Sequence, residues 1–263
     1  MARPKKSKLA KDNVMVSDIS GLPDTLIKTI DPALPKTAQV YGIMRRAIVG
    51  LALQPGSILN EKLICDQLGI SRTPLREAIL QLLAENLVSV VPNSGTYVSK
   101  IDLQSVFDGQ LVREALELKV VRLAATRMTP HFERALDFNI YQQNRMAQDQ
   151  DFDGFYELDE AFHSMITEFG ASSYVWKIVN GAKAQLDRVR RLSIPLHSHL
   201  EIVLAEHIAI VDALKSRDSD AANAAMALHL DRTFDMIRLH IVERSEYFSA
   251  DASDVLNEYT PER

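Results

Sequence analysis

Apolar residues near the front of the chain recur at the three- and four-residue spacing of α-helices. This pattern predicts helices over residues 37–49 and 61–68, and a third helix that follows the segment "ISRTP" and ends near Glu85. Gly50 and Gly69 follow the first two helices, where glycine is typical of a helix end. Three short helices are therefore expected in this part of the chain.

Two β-branched segments come next, "LVSVV" and "TYVSK", on either side of the turn-forming sequence "PNSG" at residues 92–95. They predict a β-hairpin. The order of helix, helix, tight glycine turn, helix and hairpin is typical of a winged helix-turn-helix.

Strand signals vanish after Asp102, and helical spacing dominates the rest of the chain. Six helices are predicted, over residues 102–127, 130–148, 152–168, 173–193, 197–216 and 218–244. The fold class is therefore mainly α, with an N-terminal winged helix-turn-helix followed by an all-α antiparallel helical bundle.

These patterns divide the chain into four segments. Residues 1–35 mix prolines with charges and have no sustained period, so they are expected to form a disordered basic arm. Residues 36–101 form the winged helix-turn-helix, residues 102–246 form the helical domain, and the polar residues 247–263 are expected to be a frayed tail.

Composition narrows the class of protein. Among the 263 residues, no apolar segment approaches the roughly 20 residues that a membrane span needs, so we expect a cytoplasmic protein with no membrane partner. The one cysteine, Cys65, excludes an internal disulfide framework and is expected to be a buried small hydrophobic residue.

The net charge of −5 hides an asymmetry. Residues 1–100 carry 13 Lys and Arg against 8 Asp and Glu, whereas residues 101–263 carry 17 against 27. The basic front suits a polyanion such as nucleic acid, and the acidic remainder suits cations, small molecules or another copy of itself.

The segment "GISRTPLREAIL" places Arg72, Thr73 and Arg76 at the start and on the outward side of the third helix. A helix that enters the major groove presents these positions to base edges and phosphates, and arginine is suited to bidentate recognition of guanine. The alternative is a solvated helix face, which the surrounding winged-helix pattern disfavours.

Asp159 and His163 lie one helical turn apart on an apolar face, where an ionised carboxylate is costly without a partner. His207 and His229 lie on the apolar faces of two later helices. The four residues are candidate ligands of a divalent metal, with zinc favoured by imidazole and nickel or manganese as alternatives. The competing interpretation is a set of core histidines satisfied by hydrogen bonds.

A dication held by one carboxylate and three neutral imidazoles keeps about one unit of positive charge and open coordination positions. It would therefore attract a carboxylate-bearing metabolite. A metal-dependent hydrolase or lyase with an appended DNA-binding head is the alternative function, although the usual catalytic acid or base is missing. A third alternative is a DNA-binding head on a purely structural dimerisation bundle.

The segment from "LNEKLICDQLGISRTPLREAIL" to "PNSGTYV" resembles the DNA-binding domain of the GntR superfamily of bacterial transcription regulators. The resemblance implies that Arg72 and Arg76 contact operator bases and backbone, and that Ser71 and Thr73 contact phosphate. Lys62 lies where the family often has arginine, which implies a phosphate contact. Gly95 would let the wing approach the minor groove.

The segments "VREALELKVVRLAA", "LDEAFH", "EHIAIVDAL" and "MALHLDRT" are similar to the FCD ligand-binding domain of the FadR branch, in its six-helix, VanR-like type. This resemblance implies metal ligation by Asp159, His163, His207 and His229. It implies that Arg113 anchors the effector, whereas a salt bridge with Glu117 is the alternative role.

The resemblance as a whole implies a metabolite-responsive repressor, not an enzyme. We expect it to bind a double-stranded DNA operator as a homodimer and to respond to a small organic or sugar acid.

Overall fold

The computed structural model describes residues 15–17, 19, 30–31, 33–193 and 197–258, without the side chains of residues 16, 193, 197–199 and 233–243. The chain splits into two compact units, Met1–Lys100 and Ile101–Arg263. Within the described residues, no helix combines the length and the apolar character that a bilayer crossing requires.

Three helices of the first unit match the predicted ones: α1 (Lys36–Val49), α2 (Glu61–Leu68) and α3 (Arg72–Ala84). The Asn60 side chain caps α2 by accepting a hydrogen bond from the Leu63 amide at 3.0 Å. Gly69 ends α2 in the left-handed conformation, with φ of 61°, which glycine adopts without steric cost.

A small sheet completes the first unit, with strands β1 (Val16–Ser17), β2 (Ile58–Leu59), β3 (Val88–Val91) and β4 (Gly95–Val98) in the order β1-β2-β4-β3. The predicted hairpin is confirmed as the antiparallel pair β3 and β4, with Val88 opposite Val98.

Part of the predicted disordered arm is ordered, which corrects that expectation. Val16 pairs with Ile58 in a parallel bridge, and Ile19 is fully buried. A strand of two residues carries no periodic signal, so the sequence pattern could not reveal it. The basic cluster of the arm, residues 3–11, lies outside the described residues.

The second unit is helical, as predicted. Its long helices are α4 (Leu103–Arg127), α5 (Pro130–Asp149), α6 (Phe152–Gly170), α7 (Ser173–Ala182), α8 (Ala184–Ser193), α9 (His197–Lys215) and α10 (Ser219–Glu243). Apolar side chains from α4, α5, α6, α9 and α10 form the main core cluster. α9 packs against α10, and α6 packs against α4 and α5. The apolar cluster that these helices share turns the inner faces of α6, α9 and α10 toward one another, which brings the candidate ligands together.

The prediction of one helix over residues 173–193 was wrong, because Lys183 interrupts it between α7 and α8. Lys183 leaves the helical conformation with φ of −93° and ψ of 7°. Its ammonium is 1% exposed and contacts the carboxylates of Glu160 and Asp187, so the interruption lies at a buried ion cluster.

The prediction of a frayed tail from residue 247 was also wrong for the described part of it. A 3₁₀ turn (Ser245–Tyr247) and helix α11 (Ala252–Glu258) follow α10. The Ile101 amide donates to the Tyr247 carbonyl at 2.8 Å, and Phe248 is 2% exposed in an apolar cluster with residues of α4 and α8. Burial of Phe248 offsets the polar composition of the segment.

Gly170 allows α6 to approach α4 closely. A Cβ at this position would lie 2.6 Å from the Val120 carbonyl oxygen, a distance that real Cβ atoms do not reach. The position therefore requires the smallest side chain.

Candidate functional site

The four candidate ligands meet in the core of the second unit. Asp159 and His163 come from α6, His207 from α9 and His229 from α10, and one potential ligand atom of each lies within 4.8 Å of the others. The four residues are between 0% and 7% exposed. The sequence prediction that they converge is therefore confirmed, and their role as metal ligands stays a prediction.

Each imidazole has an outer hydrogen-bond partner on its Nδ1 atom. His163 Nδ1 lies 2.6 Å from Glu117 Oε2, His207 Nδ1 lies 2.8 Å from Gln143 Oε1, and His229 Nδ1 lies 2.9 Å from the Glu206 carboxylate. Because these partners are acceptors, Nδ1 carries the proton in each ring. The Nε2 atoms then carry lone pairs at the inner side of the cluster, and that of His163 also accepts a hydrogen bond from Arg113 Nη2 at 2.8 Å.

The inner atoms suit a cation. Nε2 of His163 and Nε2 of His229 lie 3.2 Å apart, and Nε2 of His207 lies 3.5 Å from the Asp159 carboxylate. Among the described residues, none forms a hydrogen bond with the buried Nε2 of His207. A buried acceptor with no donor, beside two further imidazole nitrogens and a carboxylate, fits the ligand set of a first-row divalent metal.

The protonation states agree with that donor set. Burial, with a contribution from neighbouring positive groups, lowers the pKa of His207 to about 3, and it lowers the pKa of His229 well below its usual range. Burial alone would raise the pKa of Asp159, but Arg190 and the imidazoles outweigh it and hold that pKa well below its usual range. Neutral imidazoles and an ionised carboxylate are the forms that bind metals.

Arg113 forms the salt bridge with Glu117 that was the alternative to its predicted effector role. Its Nε donates to Glu117 at 2.7 Å, which is the predicted salt bridge, and its Nη2 lies 2.8 Å from His163 Nε2. The guanidinium is 1% exposed and lies at the edge of the candidate metal centre. Its role in holding an effector stays a prediction.

The sequence analysis missed several residues around the site. Glu117 was named only as a partner of Arg113, and neither Gln143 nor Glu206 was considered as a hydrogen-bond partner of a histidine. Arg190, for which the sequence indicates no partner, contacts Asp159. These pairings join helices that are far apart in the chain, so no short-range spacing could have revealed them.

The candidate DNA-reading residues lie on the surface of the first unit. Five of these side chains are exposed. They are Lys62 on α2, Ser71 at the N-cap of α3, and Arg72, Thr73 and Arg76 on α3. On the opposite face of α3, Leu75, Ile79 and Leu82 are buried. The hydroxyl of Ser71, at the N-cap of α3, makes no capping hydrogen bond. This arrangement leaves the start of α3 open to an incoming phosphate.

Gly95 has a structural role in addition to the predicted one. It opens strand β4 with φ of 144°, and a Cβ there would lie 2.9 Å from the Ile58 side chain. The turn itself places Asn93 in the left-handed region, with φ of 60°. The contact of Gly95 with the minor groove stays a prediction.

Comparison with known proteins identifies both units. The family "Bacterial regulatory proteins, gntR family" matches residues 36–98, and the FCD domain matches residues 110–232. The chain is similar to the HTH-type transcriptional repressor RspR of Escherichia coli K12, with 35% identity over 86% of this chain and 99% of that protein. A regulator from Streptomyces ambofaciens is 36% identical over 82% of this chain and 91% of its own length.

Solved structures agree on the fold. Escherichia coli McbR/YncC has a TM-score of 0.70 at 21% identity, covering 79% of this chain and 99% of that structure. A GntR regulator from Rhodococcus sp. RHA1 has a TM-score of 0.67 at 23% identity, covering 77% and 97%. RspR and the Streptomyces ambofaciens protein are both named as transcriptional regulators, in agreement with the expectation of a regulator and not an enzyme. The chain belongs to the GntR family of bacterial transcription regulators, with a helix-turn-helix domain followed by an FCD domain.

Proposed function

We propose that this GntR regulator is a repressor whose FCD domain binds a divalent metal, with zinc favoured, and a small organic or sugar acid. The observation that carries the proposal is the buried cluster of three imidazoles and one carboxylate, in which an outer acceptor directs each Nδ1 away from the centre. Such outer partners are typical of metal-binding histidines and set the ring orientation before the ion arrives.

Asp159, His163, His207 and His229 would hold the ion. When bound, the metal would supply a residual positive charge and open coordination positions for the carboxylate of the effector. Because the pKa values of His207 and His229 are lowered, both imidazoles are neutral at neutral pH, and the Nε2 atom of each is available to bind a metal.

Arg113 is suited to a second contact with the effector acid. Its guanidinium is fixed by Glu117, and the Nη2 atom points to the candidate ligand His163. A fixed guanidinium beside a metal gives a carboxylate two positive partners, and its planar fork allows bidentate binding.

The first unit would recognise the operator. Arg72 and Arg76 are placed to contact bases and backbone, Ser71, Thr73 and Lys62 to contact phosphates, and Gly95 to let the wing near the minor groove. One winged helix contacts only a half-site, so we propose that a homodimer binds a two-fold symmetric operator. Effector binding would change operator affinity through the coupling free energy between the two sites.

The metal is tested by removing it with a chelator and titrating Zn²⁺ into the full-length protein. We expect one ion per chain and a higher melting temperature in its presence, because a ligand of the folded form stabilises it. His207→Ala should lose this binding, whereas His131→Ala, which changes an exposed histidine outside the cluster, should retain it. Retention by both variants would refute the assigned ligand set.

Operator binding is tested by gel shift on the region upstream of the gene. Arg72→Ala should abolish the specific shift, whereas Arg145→Ala, which removes the same charge from an exposed site in the second unit, should leave it intact. Unchanged binding by a folded Arg72→Ala variant would contradict the role given to α3. Addition of candidate acids to the same assay, with and without Zn²⁺, then tests the effector.

A further inference from the structure

Arg190 connects the candidate metal centre to a buried ion cluster. Its guanidinium contacts the Asp159 carboxylate through Nη2, and its Nη1 lies 3.0 Å from Glu160 and 3.6 Å from Asp187. The Arg190 side chain is 15% exposed, and the side chain of Asp159 is 3% exposed. Little solvent is therefore available to weaken these contacts.

The three carboxylates differ in their other partners. Glu160 and Asp187 also contact the buried ammonium of Lys183. Asp159 faces His207 at 3.5 Å, so in the absence of a metal the guanidinium of Arg190 is its cationic partner among the described side chains. Loss of the Asp159 contact would still leave Arg190 two acidic neighbours.

A metal at Asp159 would meet this guanidinium directly. The contact uses Oδ2 of Asp159, while Oδ1 is the oxygen closer to His207. A dication and a guanidinium that share one carboxylate repel each other strongly in a site with little water. Each therefore weakens the binding of the other to Asp159.

We propose that Arg190 is an internal competitor of the metal, a role that rests on the metal binding proposed above. Arg190 neutralises Asp159 in the metal-free protein, keeps that form folded, and lowers the affinity of the site for the ion. When the ion binds, Glu160 and Asp187 retain the guanidinium. The resident arginine thus sets the metal concentration at which the FCD domain becomes competent to bind its effector.

The test measures the dissociation constant of Zn²⁺ by competition with a chromogenic chelator, together with melting temperatures with and without the ion. Arg190→Gln should bind Zn²⁺ about tenfold more tightly or better, because the competing charge is gone. Its metal-free form should melt below the wild type, and Zn²⁺ should restore most of that difference.

Arg191→Gln is the matched control, since Arg191 is the next residue of α8 but contacts Asp153 and lies 3.7 Å over the Tyr156 ring. It should change the Zn²⁺ affinity little. An equal gain in both variants would show a general charge effect and overturn the proposal. Arg190→Lys keeps the positive charge on a shorter side chain, so its gain in Zn²⁺ affinity should be smaller. This variant tests the competition if Arg190→Gln fails to fold.

Weaker or unchanged Zn²⁺ binding in the folded Arg190 variants would overturn the competition while leaving the metal site intact. Weaker binding would mean that Arg190 orients Asp159 for the ion, and unchanged binding would mean that it does not affect the ion. A wild-type protein that binds no Zn²⁺ would instead refute the metal site, and the competition with it, so the two failures are distinguishable.

Discussion

Replacement of Gln143 by leucine tests whether the outer hydrogen bonds prepare the metal centre. Gln143 is fully buried on α5, and its Oε1 accepts a hydrogen bond from the His207 Nδ1–H at 2.8 Å. Leucine has a similar volume but no polar group, so Gln143→Leu leaves that buried N–H without a partner and also removes the hydrogen bond from Gln143 Nε2 to Asn139 Oδ1. The variant should be destabilised by about 1–3 kcal/mol in its metal-free form, the cost of an unsatisfied buried polar group.

The same change should weaken the metal site. Without its acceptor, His207 is free to carry the proton on Nε2, which cannot then bind a metal, and the ring loses its fixed orientation. Loss of an outer partner typically lowers metal affinity by about 10- to 100-fold, so we expect Zn²⁺ to bind Gln143→Leu by that factor more weakly. The cost corresponds to about 1.4–2.8 kcal/mol of binding free energy.

The assay is a Zn²⁺ competition titration of both variants after each is shown to unfold cooperatively. Gln142→Leu is the control, because it makes the same chemical change at the preceding, partly exposed position of α5. The control should retain the wild-type affinity. A folded Gln143→Leu variant that binds Zn²⁺ as tightly as the control would refute the reasoning that Gln143 fixes the His207 tautomer.

Three further predictions concern packing, pH and salt. Gly170→Ala should lower the free energy of unfolding by about 1–3 kcal/mol because its methyl group meets the Val120 carbonyl. Gly181→Ala, with no atom within 4 Å of the added Cβ, should raise it by up to about 1 kcal/mol in the same urea titrations. In the metal-free protein, the stability that depends on His207 should fall below pH 6.5 by up to about 1.4 kcal/mol per pH unit, since its pKa falls to about 3 on folding and the unfolded chain takes up the proton first; His229, whose pKa is also lowered, adds to the loss. A His207→Gln variant with an equally steep loss would contradict that assignment. If Arg72 contacts a phosphate, its replacement by alanine should reduce the slope of log affinity against log salt by about one in binding titrations, and an unchanged slope would exclude the contact.

Helix boundaries were predictable where local chemistry sets them. Predicted and observed ends agree within about two residues for most helices, because caps and breakers such as Asn60, Gly69 and Thr129 act over a single turn. The inward face of α6 was predictable for the same reason. Asp159 and His163 share the spacing of the apolar residues around them, and helical geometry then fixes where they point.

The features that were mispredicted depend on contacts between distant segments. Lys183 interrupts a helix at a point where its ammonium contacts Glu160, 23 residues away. The segment containing Phe248 was judged frayed from its polar composition, yet Phe248 pairs with Ile101 in a parallel bridge. Neither contact leaves a trace in local periodicity, because the partner lies on another element.

In the candidate site too, residues placed by the spacing within one helix were predictable, whereas partners on other helices were not. Spacing along each helix was enough to identify the four candidate ligands, since each lies on the buried face of its own helix. The outer partners could not be identified in that way. Glu206 is adjacent to His207 in the chain, but its carboxylate contacts His229, so even a neighbouring residue was no guide to the pairing.

The burial of Cys65 has a practical consequence for measuring conformational change. Cys65 is the single cysteine of the chain and is 7% exposed, and burial raises the pKa of its thiol. Thiol reagents act on the thiolate at accessible sites, so the native background of labelling should be low. A cysteine introduced at the exposed residue Ser94 would then carry a fluorophore or spin label selectively. Distances between labelled wings in an assembled regulator could be followed as effector is added, without first replacing the natural thiol.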